Sequence, residues 1–249
     1  MKIIDIHAHI SLESCRQILL EADRLEISHL CNLVGHLKGI SMINATPAHI
    51  VAMNNQTMTL VRKHPGRITG FCFLNPLHDR RFLLKEIDRC LVKGNLKGIK
   101  LEVDANARSS RLDPILKECA RLNLPLLHHA WYKTVGKVFN ESTPADIAHL
   151  ARRHPGVKII MAHLTAAGIR GILDIQPCPN VFVDTSGSQS FSGIMEYAVE
   201  KLGAGRILFG SDISGRDFSV QLGRIHGAKI NRREKELILG LNAKKLLGI

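Results

Sequence analysis

The chain has 249 residues, 45% of them hydrophobic, which is enough to bury a sizeable core, and single α/β barrels commonly reach this size, so one domain spanning 1–249 is expected. No apolar stretch approaches the roughly 18 residues of a membrane span and no signal-peptide pattern is present, so a non-secreted, cytoplasmic protein with no membrane partner is expected. The formal charge of +12 invites an anionic partner, but Arg80-Arg81, Arg152-Arg153 and Arg232-Arg233 lie far apart with no basic and aromatic interleaving, which weakens a nucleic-acid reading and leaves a small acidic substrate compatible.

Short apolar runs rich in β-branched residues mark eight candidate strands. The first, Ile3–Ile10, carries Asp5-Ile6-His7-Ala8-His9, and residues two apart on a strand share a face, so Asp5, His7 and His9 line one side together. The second candidate is Gly39–Ile43. Thr46-Pro47 then opens a helix with a capping hydroxyl and a proline at its first position, and the helix stops at His64-Pro65-Gly66. Ile68–Leu74, Leu96–Val103 and Leu124–His129 follow as strands. Thr143-Pro144 opens a second capped helix that stops at His154-Pro155-Gly156, with Asp146 near its start. Val157–Leu164, Val181–Thr185 and Ile207–Asp212 complete the strands, and Asn231 to Leu247 reads as a last helix closing over the barrel's end.

Starts recurring every twenty to thirty-five residues or so leave room for a strand, a loop and a crossover helix, and the strands are too apolar for a surface sheet. A closed, distorted (β/α)₈ barrel of the α/β class is expected. No Gly-x-Gly-x-x-Gly follows the first strand and no phosphate-binding loop occurs, which removes the usual mark of nucleotide-binding folds. Six scattered cysteines with no close pair suit free, buried thiols.

On such a barrel the metal-capable residues fall at strand ends: His7 and His9 on the first, His128 and His129 on the fifth, His163 on the sixth and Asp212 on the eighth, with Lys100 late in the fourth. Those ends converge on one mouth. Imidazoles and a carboxylate gathered there suit zinc or a similar divalent ion with an open position for water or substrate.

Asp-Ile-His-Ala-His (5–9), Gly-Ile-Lys-Leu (98–101), Leu-Pro-Leu-Leu-His-His-Ala (124–130), Met-Ala-His-Leu (161–164), Val-Asp-Thr-Ser-Gly (183–187) and Phe-Gly-Ser-Asp (209–212) occur in this order, and with them the chain resembles the amidohydrolase superfamily. The resemblance is to its amidohydrolase-related branch, which also holds metal-dependent decarboxylases. It implies that His7, His9, His129 and Asp212 bind the metal, that Asp212 and His163 are catalytic, and that His163 alternatively holds a second metal. His128 faces the other side of its strand and is structural. Lys100 is either an ordinary ammonium, paired with an acidic residue such as Glu102 or binding an acidic substrate, or, as in binuclear relatives, a carbamate bridging a second ion. Three positions depart from the family pattern: Trp131 replaces a small residue, Leu164-Thr165-Ala166-Ala167-Gly168 replaces the usual Leu-Gly-Gly, and Ile213-Ser214-Gly215 replaces an aromatic residue followed by proline. Glu141 and Asp184 are candidate substrate contacts, and Arg216 is a candidate for binding a carboxylate.

The resemblance implies a metal-dependent hydrolase of an amide, ester or lactone-like small molecule, acting through a metal-activated water. The alternative is non-oxidative decarboxylation on the same site. Phosphoester hydrolysis ranks lower, because related deoxyribonucleases place Glu where this chain has Lys100, and a non-enzymatic metal-loaded scaffold also ranks lower. A homodimer is expected on frequency alone.

Overall fold

In the computed structural model, which describes residues 2–133 and 135–249, strands and helices alternate along the chain. The first half runs β1 (Ile3–Ala8), α1 (Cys15–Arg24), β2 (Ile27–Asn32), α2 (Pro47–Lys63), β3 (Ile68–Gly70), β4 (Cys72–Leu74), α3 (Arg80–Ile87), β5 (Ile99–Leu101) and α4 (Asp113–Leu122). The second half runs β6 (Leu126–His128), α5 (Pro144–Arg153), β7 (Ile159–Met161), α6 (Leu164–Ile175), β8 (Val181–Asp184), α7 (Ile194–Leu202), β9 (Ile207–Leu208) and α8 (Phe218–His226). It ends with α9 (Arg232–Glu236), a π-helical turn at 237–241 and α10 (Asn242–Leu247). Every strand pair is parallel, in the order β1-β2-β3 and β4-β5-β6-β7-β8-β9. Parallel strands are covered on both faces, which is why they read as nearly unbroken apolar runs.

The two sheets are one barrel with eight staves. Ile68–Leu74, expected as one strand, changes partner at Phe71: the Phe71 amide donates to the Asn32 carbonyl at 2.9 Å, while the Cys72 amide donates to Gly98 at 2.8 Å. Gly98 makes this possible, because a β-carbon there would stand 2.4 Å from the Phe71 ring. At the other seam the Ile6 amide donates to Phe209 at 2.9 Å and the Asp212 amide to His7 at 2.8 Å. The barrel therefore closes between its first and last strands, and the α/β barrel expected from the sequence is the fold observed.

One strand was misplaced. Residues 39–43 form turns, and the second stave is Ile27–Asn32 instead. Its sequence, Ile-Ser-His-Leu-Cys-Asn, has one β-branched aliphatic residue, and it directly follows Glu26, whose φ of 58° makes the sharp exit from α1. The helix ends are as expected. Thr46 caps α2 by accepting from His49 N, Thr143 and Asp146 form a reciprocal capping box on α5, and His64 and His154 are the residues that terminate these helices. The tail does not lie over the barrel's end. It packs against β1 and β9 across the closing seam, where Phe209 N donates to Ile238 O at 2.8 Å. All six cysteines are free and buried. No helix among the described residues is long and apolar enough to cross a membrane.

Two stability measurements follow. A β-carbon at Gly240 would stand 2.2 Å from the Lys2 carbonyl, so Gly240→Ala is expected to destabilise the seam by about 1–3 kcal/mol in urea unfolding; an unchanged midpoint would show that the tail can shift off β1 without loss. Burial pushes the Asp146 carboxyl up, but the Thr143 amide, Arg108 and the Thr143 hydroxyl outweigh it and hold the group down at about 2. Because this folded value lies below the unfolded one, the stabilisation is complete above about pH 4 and is lost as pH falls towards 2. Asp146→Asn should remove about 2 kcal/mol at neutral pH and flatten that acid limb, and an acid limb of wild-type steepness in the variant would refute the assignment.

Candidate active site

The mouth is built from strand ends. β1 presents His7 and His9 on one face, as the period of two requires, and the β9–β1 seam brings Asp212 to them. His7 Nε2 lies 3.2 Å from His9 Nε2, and Asp212 Oδ1 is 3.5 Å from each. Asp212 and His163 both follow strand ends in the left-handed region, with φ of 64° and 72°, uncommon for residues other than glycine. These turns re-aim two side chains that strict alternation would not have placed together.

Asp5, the third residue of the β1 face, does not join the cluster. Its Oδ1 accepts from His7 N at 2.9 Å and Ser211 N at 3.0 Å, and its Oδ2 accepts from the Ser211 hydroxyl at 2.5 Å, which ties the Gly-Ser-Asp turn to β1. Burial raises its carboxyl to about 7.

Behind the cluster, hydrogen bonds decide which ring nitrogen carries a proton. His7 Nδ1 lies 2.7 Å from Asp184 Oδ2, so that nitrogen is the donor and Nε2 offers a lone pair to the mouth. His129 Nε2 lies 2.8 Å from Glu141 Oε1, which leaves the lone pair on Nδ1. His163 Nδ1 lies 2.7 Å from Ser186 Oγ, whose own proton goes to Asp184 Oδ1, so His163 also keeps its lone pair on Nε2. His163 Nε2 and His129 Nδ1 then face each other at 3.3 Å. Burial, reinforced by the charge of neighbouring imidazoles, holds His9 and His163 well below the usual range, so both rings stay neutral.

With neutral rings, lone pairs face lone pairs, and the cluster needs positive charge at its centre. A proton on His7 is one source: burial pushes this group down, but Asp184 overrides it and raises it. A divalent cation is the other. Bonds of about 2.0–2.2 Å to imidazole and carboxylate in a tetrahedral arrangement put ligand atoms about 3.3–3.6 Å apart. The observed 3.2, 3.5 and 3.5 Å fit that spacing, and the histidine–carboxylate pairs His7–Asp184 and His129–Glu141 are the usual support of metal-binding imidazoles.

The structure thus gathers His7, His9 and Asp212 in one cluster. His129 and His163 stand beside it at the same mouth. Glu141 and Asp184, read from the sequence as possible substrate contacts, instead hold the rings of His129 and His7. Their signal was a carboxylate at a strand end or mouth loop, and no spacing rule says which histidine such a group will meet. His128 is buried, its Nδ1 on the His129 carbonyl at 2.7 Å, and burial pushes it down to about 4, in keeping with a structural role. Lys100 Nζ lies 2.7 Å from Glu102 Oε1. The distance is that of an ion pair. Glu102, otherwise unmarked in the sequence, also reaches within 3.7 Å of His129. Trp131 lies against the site, its ring stacked 6.1 Å from that of His129 and tilted by 51° to that of His163 at 5.2 Å. A cavity of about 690 Å³ opens beside His9, bounded also by Ser11, His36, Gln56 and Ser214.

The amidohydrolase family model matches residues 4–249. No curated protein matches the chain by sequence. Among solved structures, 5-carboxyvanillate decarboxylase from Sphingomonas paucimobilis superposes with a TM-score of 0.79 at 15% identity, over 100% of this chain and 99% of that one. The 2,6-dihydroxybenzoate decarboxylase from Rhizobium gives 0.78 at 16%, over 100% and 99%. A dihydroxybenzoic acid decarboxylase from Polaromonas sp. JS666, solved with bound manganese and 2-nitroresorcinol, gives 0.78 at 16%, over 99% and 97%. Identities this low establish a shared fold and nothing finer, whereas the family match spans nearly the whole sequence: the chain belongs to the amidohydrolase family.

Proposed function

We propose that the protein is a metal-dependent, non-oxidative decarboxylase.

 The substrate is a small aromatic or unsaturated carboxylic acid, and the reaction replaces its carboxylate with hydrogen and releases carbon dioxide. The observation that carries the metal dependence is the His7, His9 and Asp212 cluster, at the spacing a divalent ion requires and with His7 and the neighbouring His129 each backed by a carboxylate. Three solved proteins of the same fold are decarboxylases of hydroxylated aromatic acids, one of them holding manganese, which favours this chemistry over hydrolysis and manganese alongside zinc as the ion. The Trp131 ring, packed on His129 and beside His163, forms an apolar wall of the site.

His7, His9 and Asp212 would hold the ion, with His129 completing the set through Nδ1. When bound, a divalent ion supplies a Lewis acid that anchors the substrate's carboxylate or adjacent hydroxyl. Asp184 and Glu141 keep the His7 and His129 lone pairs turned to the mouth. In the reaction the carbon–carbon bond to the carboxylate breaks, its electron pair stays on the substrate carbon, and a proton takes the vacated position. Asp212 is the group placed to hold and deliver that proton: burial raises its carboxyl even against His7 and Lys100. His163, fixed by Ser186, offers Nε2 as the acceptor that orients the substrate's hydroxyl. Lys100, paired with Glu102, keeps positive charge at the floor of the site, where an acid must bind.

Hydrolysis uses the same residues with water as the nucleophile, so the two reactions are separated by their products. Incubation of the manganese-loaded and zinc-loaded protein with a panel of hydroxybenzoates, and with amides and lactones, is expected to release carbon dioxide from at least one acid without incorporating labelled solvent oxygen into the organic product. Turnover only of amides or lactones would overturn the decarboxylase reading. Asp212→Asn is expected to keep the fold and lose at least about a thousandfold in kcat, and wild-type turnover in that variant would remove Asp212 from the chemistry. Asp184→Asn should weaken Mn²⁺ or Zn²⁺ binding by about 10–100-fold in a chelator competition; unchanged affinity would show that His7 needs no carboxylate behind it to hold the ion.

A further inference from the structure

Three of the four clustered imidazoles are braced by a hydrogen bond on the nitrogen that faces away from the mouth. His7 Nδ1 meets Asp184 at 2.7 Å, His129 Nε2 meets Glu141 at 2.8 Å and His163 Nδ1 meets Ser186 at 2.7 Å. His9 is the exception. Its Nε2 lies 3.2 Å from His7 Nε2 and 3.5 Å from Asp212, but its Nδ1 is buried without a hydrogen-bond partner. Rotation of an imidazole about its second side-chain torsion is soft, and a nitrogen lone pair reaches a metal only in the plane of the ring. A ligand with no polar brace therefore needs another means of keeping its plane.

Packing supplies one. The ring of His36, in the loop after β2, stands 5.3 Å from that of His9 at an interplanar angle of 76°, a T-shaped contact of the kind that ring quadrupoles favour. The backbone delivers His36 to this position. Leu33 N donates to Ala8 O at 2.8 Å, one residue before His9, and Leu33 and Val34 are fully buried. Gly35 then lies so close to α2 that a β-carbon would stand 2.5 Å from the Met53 carbonyl and 2.6 Å from the Gln56 β-carbon. His36 itself is outside the His7, His9 and Asp212 group and, among the described residues, forms no ion pair within 4.0 Å. What it offers His9 is a ring.

Resting on the reading of His7, His9 and Asp212 as ligands of a divalent ion, we infer that His36 is a positioning residue for that ion. Its ring holds the His9 imidazole in the plane that presents Nε2 to the cluster, the part that Asp184 and Glu141 play for His7 and His129 through hydrogen bonds. The two kinds of brace differ in place as well as in chemistry. Asp184 and Glu141 are buried behind the rings, whereas His36 stands with His9 in the wall of the cavity of about 690 Å³. Because the contact is ring against ring, an aromatic side chain without nitrogen can replace it.

The test uses Mn²⁺ in a chelator competition and the visible absorption of the Co²⁺-loaded protein, with melting temperatures of the metal-free forms as the control on folding. His36→Ala is expected to weaken Mn²⁺ binding about tenfold and to alter the Co²⁺ spectrum, because His9 loses its plane. His36→Phe keeps a ring at the contact and should stay within about twofold of the wild-type affinity with the wild-type spectrum. Wild-type affinity and spectrum in His36→Ala would overturn the inference. Equal losses in His36→Ala and His36→Phe would do the same, since they would assign the effect to the ring nitrogens or to the loop as a whole. The two readings fail distinguishably: a wild-type protein that binds neither ion removes the ligand assignment and this inference together, whereas tight binding that is indifferent to His36 removes this inference alone.

Discussion

The site rests on one constraint: an imidazole has two nitrogens, and committing one decides what the other can do. Asp184 takes the proton-bearing nitrogen of His7, Glu141 that of His129 and Ser186 that of His163. Three rings therefore turn acceptors towards the mouth, where like groups meet at hydrogen-bonding distance with no proton between them. Such a cluster is unfavourable when neutral and favourable around a cation. The carboxylates that produce this polarity are buried, and Asp184 stays ionised because it is surrounded by donors: burial pushes its carboxyl up, but His7, Ser186 and the His163 amide outweigh it.

That polarity depends on barrel closure. His7 and Asp212 come from opposite ends of the sequence and meet only because the last strand pairs with the first, and Asp5 pins the Ser211 turn to β1 from below. The tail of the chain packs across that same seam, with Gly240 against the Lys2 carbonyl. The C-terminal helix thus buttresses the seam on which the candidate metal cluster depends. Loss of the seam would separate Asp212 from both histidines before it disturbed the strands that carry His129 and His163.

The sequence made the cluster legible where periodicity acts directly. His7 and His9 share a face because strands repeat every two residues, and the Thr-Pro starts and His-Pro-Gly stops of two helices follow from local steric rules. Position in the second stave was not legible. The turn-forming segment 39–43 carries isoleucines at both ends of its core, while the real strand, Ile27–Asn32, hides a histidine and an asparagine among its residues because His29 and Asn32 are satisfied by hydrogen bonds from elsewhere in the fold. The support roles of Asp184 and Glu141 were hidden for a related reason. Which ring a carboxylate meets depends on contacts across 177 and 12 residues of chain, respectively, and on loop conformations that carry no short-range signature. The left-handed turns at His163 and Asp212 belong to the same class: strand alternation alone would send these side chains elsewhere.

The excess of positive charge takes on a specific meaning in this setting. Most of it is spread over the helical exterior, where pairs such as Arg24 with Glu21 and Arg121 with Glu118 are exposed and contribute little. The few cations near the mouth act in a different dielectric. Lys100 is buried and its charge is felt by His7, His9, His163 and Asp212 alike, so it disfavours a proton on those three imidazoles. It also favours an anion arriving from solvent. On the proposed reading an acid gains at the metal and from the charge of Lys100, whereas neutral amides and lactones gain nothing from that charge. That charge is one that hydrolysis of a neutral substrate would leave unused, and it accords with the proposed decarboxylation.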